Sequence, residues 1–398
     1  MACADVADVE YNPYAYPIHE DPYPTYAALR AHAPVYRNDT LDFWALSRHA
    51  DVLAAFKDTE RFSNDHGVSL DPESWGPQAS AGTSILAFDP PRHTRLRALV
   101  SKGFTPRRVA ALEQRIREMS AAYLDPLVGA ARFDFIDELA GKVPMDVISE
   151  MLGVPRADRA ELRRRADLLV HREEGHTGVP PEGVEAFAWI RSYFRQLLAA
   201  RRARPGDDLL SVLLEVESEG ERLDEGEILS FANLMIVAGN ETTTKILANA
   251  IYWLWRHPEQ RALVREAPES RIPSWVEETL RFDNSTQMLA RRVARDVELH
   301  GRRLRAGDRA LLLVGSANRD ERVFERAAEY DILRDTSQSV SFGRGVHFCL
   351  GAALARLEGR VVLEEWWRRF PDYEIEPAGA VRVHSINVRG FSALPVKV

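Results

Sequence analysis

Apolar residues recur at intervals of three and four through most of this chain, the spacing of one helix face, and alternate only over short runs. Residues 24–33 read as a short helix, 34–47 as two short strands around the polar Asn38-Asp39-Thr40, and 48–57 as helix. Residues 63–84 hold Gly, Pro, Ser and Asp without a period, so a long loop is expected there, a kind that is usually functional or disordered. From 91 to about 217 the pattern is mostly helical, clearest in 112–127 and 190–198. Three glycines and two prolines break it over 171–185, which predicts a loop between helices placed to act as a lid. Residues 223–255 read as one long helix, capped by Asp224 with Glu227 at capping-box spacing and ended by His257-Pro258. A shorter helix over 274–282, a hairpin over 297–314 turning at Gly301 and a helix over 350–369 follow. The first 24 residues, rich in Pro and Tyr, are expected to lie extended over the surface. With no repeat, low-complexity tract or linker, the reading is mainly α with a small β-rich lobe, folded as a single domain over 1–398.

A hydrophobic fraction of 45% can bury a large core, and 28% of well-mixed charge argues against disorder. The net charge of −8 disfavours a nucleic-acid binder, whose phosphate contacts want a basic surface. Cys3 and Cys349 stand too far apart to suggest a disulfide framework, so a reducing cytoplasm is the simpler setting. No Lys or Arg precedes Arg30 and no long apolar run opens the chain, so neither a secretory signal nor a membrane anchor is expected. The most apolar stretch, 228–255, is interrupted by Glu241 and Lys245, which speaks against a membrane span.

The strongest chemical signal is Phe342-Gly343-Arg344-Gly345-Val346-His347-Phe348-Cys349-Leu350-Gly351. Glycines permit tight turns and close approach to a flat ligand. A cysteine at a helix N-terminus meets free N–H groups and the positive dipole end, which favour the metal-binding thiolate. On composition alone, a buried structural cysteine in a Gly-rich turn would explain the segment equally well. The segment resembles the cysteine-ligand loop of the cytochrome P450 family, a Phe, two residues, Gly, one residue, His, one residue, Cys, one residue and Gly. Phe342, Gly345, His347, Cys349 and Gly351 fill every slot. The resemblance implies that Cys349 is the axial thiolate of haem b, a ligand that favours O–O cleavage. It also implies a P450 fold, with haem buried between the long central helix and the cysteine loop.

Three further segments carry the same resemblance, in the family's order. Ala238-Gly239-Asn240-Glu241-Thr242-Thr243 puts poor helix formers and an acid inside an apolar helix, a costly arrangement unless paired or functional. By resemblance, Ala238 and Gly239 leave room for oxygen and substrate, while Thr242 and Glu241 deliver protons. Glu278 and Arg281 share a helix face; the spacing alone means little, but the family's Glu-x-x-Arg is a buried structural pair behind the cysteine loop. The segment Ala317–Arg334 resembles the irregular stretch packed on that pair, with Glu321, Glu325 and Ala327 where prolines are usual, which predicts a looser segment. His93 and Arg97 lie on one helix face, and these, His347 and Arg291 stand where the family contacts the haem propionates, with Arg292 the alternative to Arg291.

The implied reaction inserts one oxygen atom of O2 into a small organic substrate. Electrons would come from a ferredoxin with its NAD(P)H-dependent reductase, since the chain has no length or cysteine cluster for its own redox domain. Arg107, Arg108, Arg356 and Arg360 are candidates for docking it. Val68, Leu70, Trp75, Ile85, Leu86, Met235, Val237, Met288 and Leu289 would line a lipophilic or aromatic substrate pocket, with Asn233 and Thr286 as polar anchors. No nucleic-acid or membrane partner is expected. A peroxide-driven haem enzyme and a non-catalytic haem-binding sensor remain the alternatives; the acid–threonine pair argues against both.

Overall fold

The computed structural model describes residues 9–398 except 73, 74, 81–83, 171, 172, 174, 175, 177 and 219. Ten helices frame the site: α1 Tyr23–His32, α2 His49–Lys57, α3 Arg92–Val100, α4 Glu113–Leu124, α5 Val143–Met151, α6 Arg159–Val170, α7 Pro181–Ala203, α8 Glu225–Arg256, α9 Pro268–Phe282 and α10 Ala352–Arg369. The strands that matter are β1 Val35–Asn38, β2 Phe43–Leu46, β3 Phe62–Ser63, β4 Leu289–Val293, β5 Val297–Leu299, β6 Arg302–Leu304 and β7 Arg309–Leu312.

Helix α8 is 32 residues long, about 48 Å at 1.5 Å per residue, and runs through the largest core. Its start is the predicted capping box: Asp224 accepts from the Glu227 N–H at 2.8 Å, and Glu227 accepts from the Asp224 N–H at 3.1 Å. Arg95 of α3 adds an ion pair to Glu227 at 3.1 Å. Around α8 pack α5, α6, α7, α9 and α10, while α4 lies against α10. A second core lies under the sheet β1-β2-β7-β4-β3. In it β1 and β2 are antiparallel, β7 runs parallel to β2, and β4 is antiparallel to β7 with Ala310 opposite Arg291.

Several expectations are corrected. Helix α9 starts at Pro268 and passes through Pro273, which lies early enough in the helix to sacrifice one backbone hydrogen bond without ending it. The 297–314 hairpin is only β5–β6, turning on His300 and Gly301 at positive φ; β7 leaves it to join the larger sheet. The expected 171–185 loop is shorter, since α7 begins at Pro181, and residues 171, 172, 174, 175 and 177 lie outside the described residues. Of the first 24 residues, 1–8 lie outside the described residues, and 9–24 are no surface strap: Tyr11 is fully buried in a third core with Tyr26, Leu29, Phe43 and Met288, because its ring meets three aromatic rings edge-on. The segment after Ala317 is not loose either. Glu321 pairs with Arg30 at 3.0 Å, and the Ala327 carbonyl accepts from Arg281 at 2.9 Å. Among the described residues no helix is long and apolar enough to cross a membrane.

Candidate functional site

A cavity with about 1600 Å³ of empty space, its mouth included, opens between α8, the cysteine loop, α3 and β4. From α8 it takes Phe231, Leu234, Met235, Ala238, Gly239, Thr242, Thr243 and Ile246, the positions a 3.6-residue period puts on one face. Thr242 donates its hydroxyl to the Ala238 carbonyl at 2.8 Å, which leaves its oxygen free to accept from the cavity.

The cysteine loop forms another wall. Gly343 and Gly345 have φ of +68° and +73°, and a Cβ on Gly345 would come within 2.8 Å of the Phe56 carbonyl oxygen. Glycine is therefore required there both by conformation and by space. The turn is closed by Cys349 N–H donating to the Phe342 carbonyl at 2.9 Å. Cys349 is exposed and lines the cavity. Burial pushes its thiol up, while the N–H groups of Gly351 and Ala352 and the cations Arg97 and Arg356 pull it back down. Behind the loop, Arg281 and Glu278 are fully buried and paired at 2.7 and 2.8 Å. Arg281 also donates to the carbonyls of Asn318, Ala327 and Glu329. The Asn318 side chain then holds Ser341 and the Val340 N–H, one and two residues before Phe342.

Cationic and imidazole groups gather at one edge. His93 and Arg97 come from α3, Arg291 from β4 and His347 from the cysteine loop. The His93 and His347 rings stand 4.1 Å apart, and none of their four nitrogens has a hydrogen-bond partner. Burial and Arg97 push His93 down to about 4; burial, Arg291, His93 and Arg97 push His347 down to about 2. Burial lowers Arg291 to about 10, with Asp89 the carboxylate that opposes it. Such a cluster fits a buried dianion, whose charge would reverse each of these shifts. Alternation along β4 explains the choice between neighbours: Leu289 and Arg291 reach the cavity, whereas Arg292 pairs with Asp65 at 2.5 Å. Among the described residues no three His, Cys, Asp or Glu stand together as a metal site.

Every residue expected to hold the cofactor lines this cavity: His93, Arg97, Ala238, Gly239, Arg291, Phe342, His347, Cys349 and Gly351. Glu241 does not. It sits about 100° round the helix from Thr242 and is buried beside Lys245 at 3.4 Å. Of the expected substrate-pocket residues, Val68, Ile85, Leu86, Met235, Leu289 and Thr286 line the cavity. Leu70, Trp75 and Met288 belong to the third core, and Val237 and Asn233 face elsewhere on α8. Arg356 and Arg360 are already paired, with Glu277 at 2.5 Å and Glu113 at 2.7 Å, whereas Arg107 and Arg108 are exposed. Phe104, Ile148 and Glu358 line the cavity unpredicted. Glu358 had one signal, an acid on the apolar face marked by Leu354, Val361 and Val362.

The model of the family described as Cytochrome P450 matches residues 185–392. A cytochrome P450 of Mycobacterium tuberculosis is 52% identical over 388 residues, 97% of this chain and 96% of the relative. A solved cytochrome P450 of Chondromyces apiculatus is 38% identical, with a TM-score of 0.88 over 99% of this chain and 98% of its own. One of Bacillus megaterium, solved in complex with testosterone, is 32% identical, with a TM-score of 0.88 over 95% of this chain and 98% of its own.

Proposed function

From the premise that this chain belongs to the cytochrome P450 family, we propose that it inserts one oxygen atom of O2 into a lipophilic small molecule, with electrons from an external partner. Like its family, the protein is an oxidoreductase that binds haem b. The reading rests on one observation: a single cavity is bounded by the Cys349 loop, by the Ala238–Thr242 face of α8, and at its edge by His93, Arg97, Arg291 and His347. When bound, haem supplies the iron at which O2 is reduced and cleaved.

The chain's own residues supply the rest. Cys349 would be the sulfur ligand, its charge supported by the N–H groups of Gly351 and Ala352. His93, Arg97, Arg291 and His347 would bind the two propionates. Gly239 keeps α8 thin: a Cβ there would already stand 3.2 Å from Ile148. Thr242, with its hydroxyl oxygen free to accept, would hold a proton at the cavity wall. Val68, Ile85, Leu86, Phe231, Leu234, Met235 and Leu289 exclude water and favour an apolar substrate, with Thr286 available for one polar group. Testosterone, bound by the Bacillus megaterium relative, is of that class.

A ferredoxin supplied by its NAD(P)H-dependent reductase is the proposed electron donor, docking where Arg107 and Arg108 lie exposed on the helix Pro106–Ala110, which packs on α10. The test is the absorption spectrum of the dithionite-reduced protein with carbon monoxide, beside Cys349→Ala. A strongly red-shifted Soret band, lost in the variant, is expected. A haem band of the histidine-ligated kind would reject Cys349, and failure to take up haem would reject the reading.

A further inference from the structure

Arg356 stands on the outer side of the cysteine loop. It does not line the cavity but a surface cleft between α9, α10 and the stretch around Arg334. Its guanidinium carbon lies 4.5 Å from the centroid of the Phe342 ring, within cation–π distance. Phe342 in turn lines the cavity, and its carbonyl accepts from the Cys349 N–H at 2.9 Å. Arg97 and Arg356 are cations whose field acts on the Cys349 sulfur. Arg97 faces the cavity, where haem propionates would match it. Arg356, outside the cavity, has a different counter-charge.

That counter-charge is Glu277 on α9. Arg356 Nε and Nη2 donate to its two carboxylate oxygens at 2.5 and 3.1 Å, the fork geometry that fixes a guanidinium in one place. A close crossing of α9 and α10 brings the pair together: a Cβ on Gly359 would already stand 3.1 Å from Val276. The other cations of the cleft have carboxylates of their own. Arg360 pairs with Glu113 at 2.7 Å and Glu364 at 2.9 Å, and Arg334 stands 3.5 Å from Glu278. Arg356 and Glu277 are both partly exposed, and a pair of that kind adds little to stability. Its place between the surface and the cysteine loop points to an electrostatic role instead.

We propose that the Arg356–Glu277 pair sets how readily the centre held by Cys349 accepts an electron. The electron comes from the external donor, and reduction adds one negative charge beside the sulfur. The Arg356 cation stabilises that reduced form, and Glu277 holds the effect down. On the inner side the field crosses the Phe342 ring and protein of low dielectric, where it is weakened less than in water. Neither residue touches a reactant; both are positioning residues that act through the cysteine loop. The inference rests on the reading of Cys349 as the sulfur ligand of haem.

The experiment is an anaerobic dithionite titration of the haem-loaded protein at low ionic strength, which reads the reduction potential, for wild type, Arg356→Met, Arg356→Lys, Glu277→Gln and Glu277→Gln/Arg356→Met. Arg356→Met should make reduction about fourfold less favourable, a fall of about 35 mV at 59 mV per tenfold for one electron. Glu277→Gln should move the potential about as far upwards. The double variant should return towards wild type, and Arg356→Lys, which keeps the charge, should stay nearer to it than Arg356→Met. Both single shifts should shrink as salt rises. A pair that only braces the loop would move Arg356→Met and Glu277→Gln in the same direction. That result, or no shift in either, overturns the proposal. If Arg356→Met takes up no haem, the direction of the Glu277→Gln shift decides alone. A wild type without the red-shifted carbon monoxide band would instead reject the haem-thiolate reading, so the two failures stay distinct.

Discussion

Replacing Arg281 with leucine should unfold the protein or leave it barely stable. Arg281 is fully buried and makes five hydrogen bonds: two to the Glu278 carboxylate and one each to the carbonyls of Asn318, Ala327 and Glu329. Leucine removes the charge that balances a fully buried Glu278, a loss of about 3–5 kcal/mol for breaking a buried pair. Three carbonyls lose a donor at about 1–3 kcal/mol each, although each has a second lone pair and some will relax. Even the low ends sum to about 6 kcal/mol, against a typical total stability of about 5–15 kcal/mol. Glu278 keeps two lesser partners, the Asp331 N–H at 2.9 Å and Arg334 at 3.5 Å; these soften the loss without replacing a bidentate guanidinium. The loss should also reach the cofactor, because Asn318 connects the pair to Val340 and Ser341 at the entrance of the cysteine loop. Urea unfolding followed by circular dichroism, with haem content measured on the same samples, tests this. Glu278→Gln/Arg281→Met should be less damaging than Arg281→Leu, since it removes both charges. An Arg281→Leu protein within about 1 kcal/mol of wild type would refute the claim that this pair supports the loop.

Gly345→Ala should cost about 2–3 kcal/mol and lower haem occupancy, from left-handed strain of about 1–2 kcal/mol plus the contact with the Phe56 carbonyl. Gly343→Ala carries the same strain with its nearest neighbour 3.8 Å away, so it should cost about 1 kcal/mol less in the same urea titration. Glu358, held well above the usual carboxylate range by burial, contributes stability that is complete below its unfolded value of about 4.3 and is lost as pH rises towards its folded value. Glu358→Gln should flatten the decline of stability with pH above about 5, where the wild type loses up to ~1.4 kcal/mol per pH unit; parallel profiles for the two proteins would rule this out. Arg107→Glu/Arg108→Glu should slow ferredoxin-supported reduction by about tenfold at low salt, with the difference shrinking as salt rises; stopped-flow reduction at two ionic strengths decides it.

Much of this architecture is readable before any coordinates. The long helix announces itself through its 3.6-residue period and its capping box, and the cysteine loop through three glycines around one cysteine. Spacing cannot show that α3, β4 and the cysteine loop converge, because His93, Arg291 and His347 are distant in sequence; only the family resemblance brought them together. Some errors were avoidable. Neighbouring strand residues face opposite ways, so Met288 and Leu289 could not both line the pocket. Neighbouring helix residues diverge by about 100°, which is why Glu241 does not line the cavity beside Thr242. Others were not avoidable. The burial of Tyr11 depends on a core built from residues distant in sequence, among them Met288, 277 positions away.

Helix α8 is fastened at its first turn by the Asp224–Glu227 box and Arg95. Near its last turns Trp253 donates to Asp283, and the Ala250 and Ile251 carbonyls accept from Trp275 and Tyr373. Between these fixings lie Gly239, without a side chain to brace the helix, and Thr242, whose hydroxyl competes for the carbonyl of Ala238. A beam held at both ends and thinned at its centre yields at the centre. Gly239 and Thr242 are thus where α8 has least of its own to stiffen it, directly over the cavity.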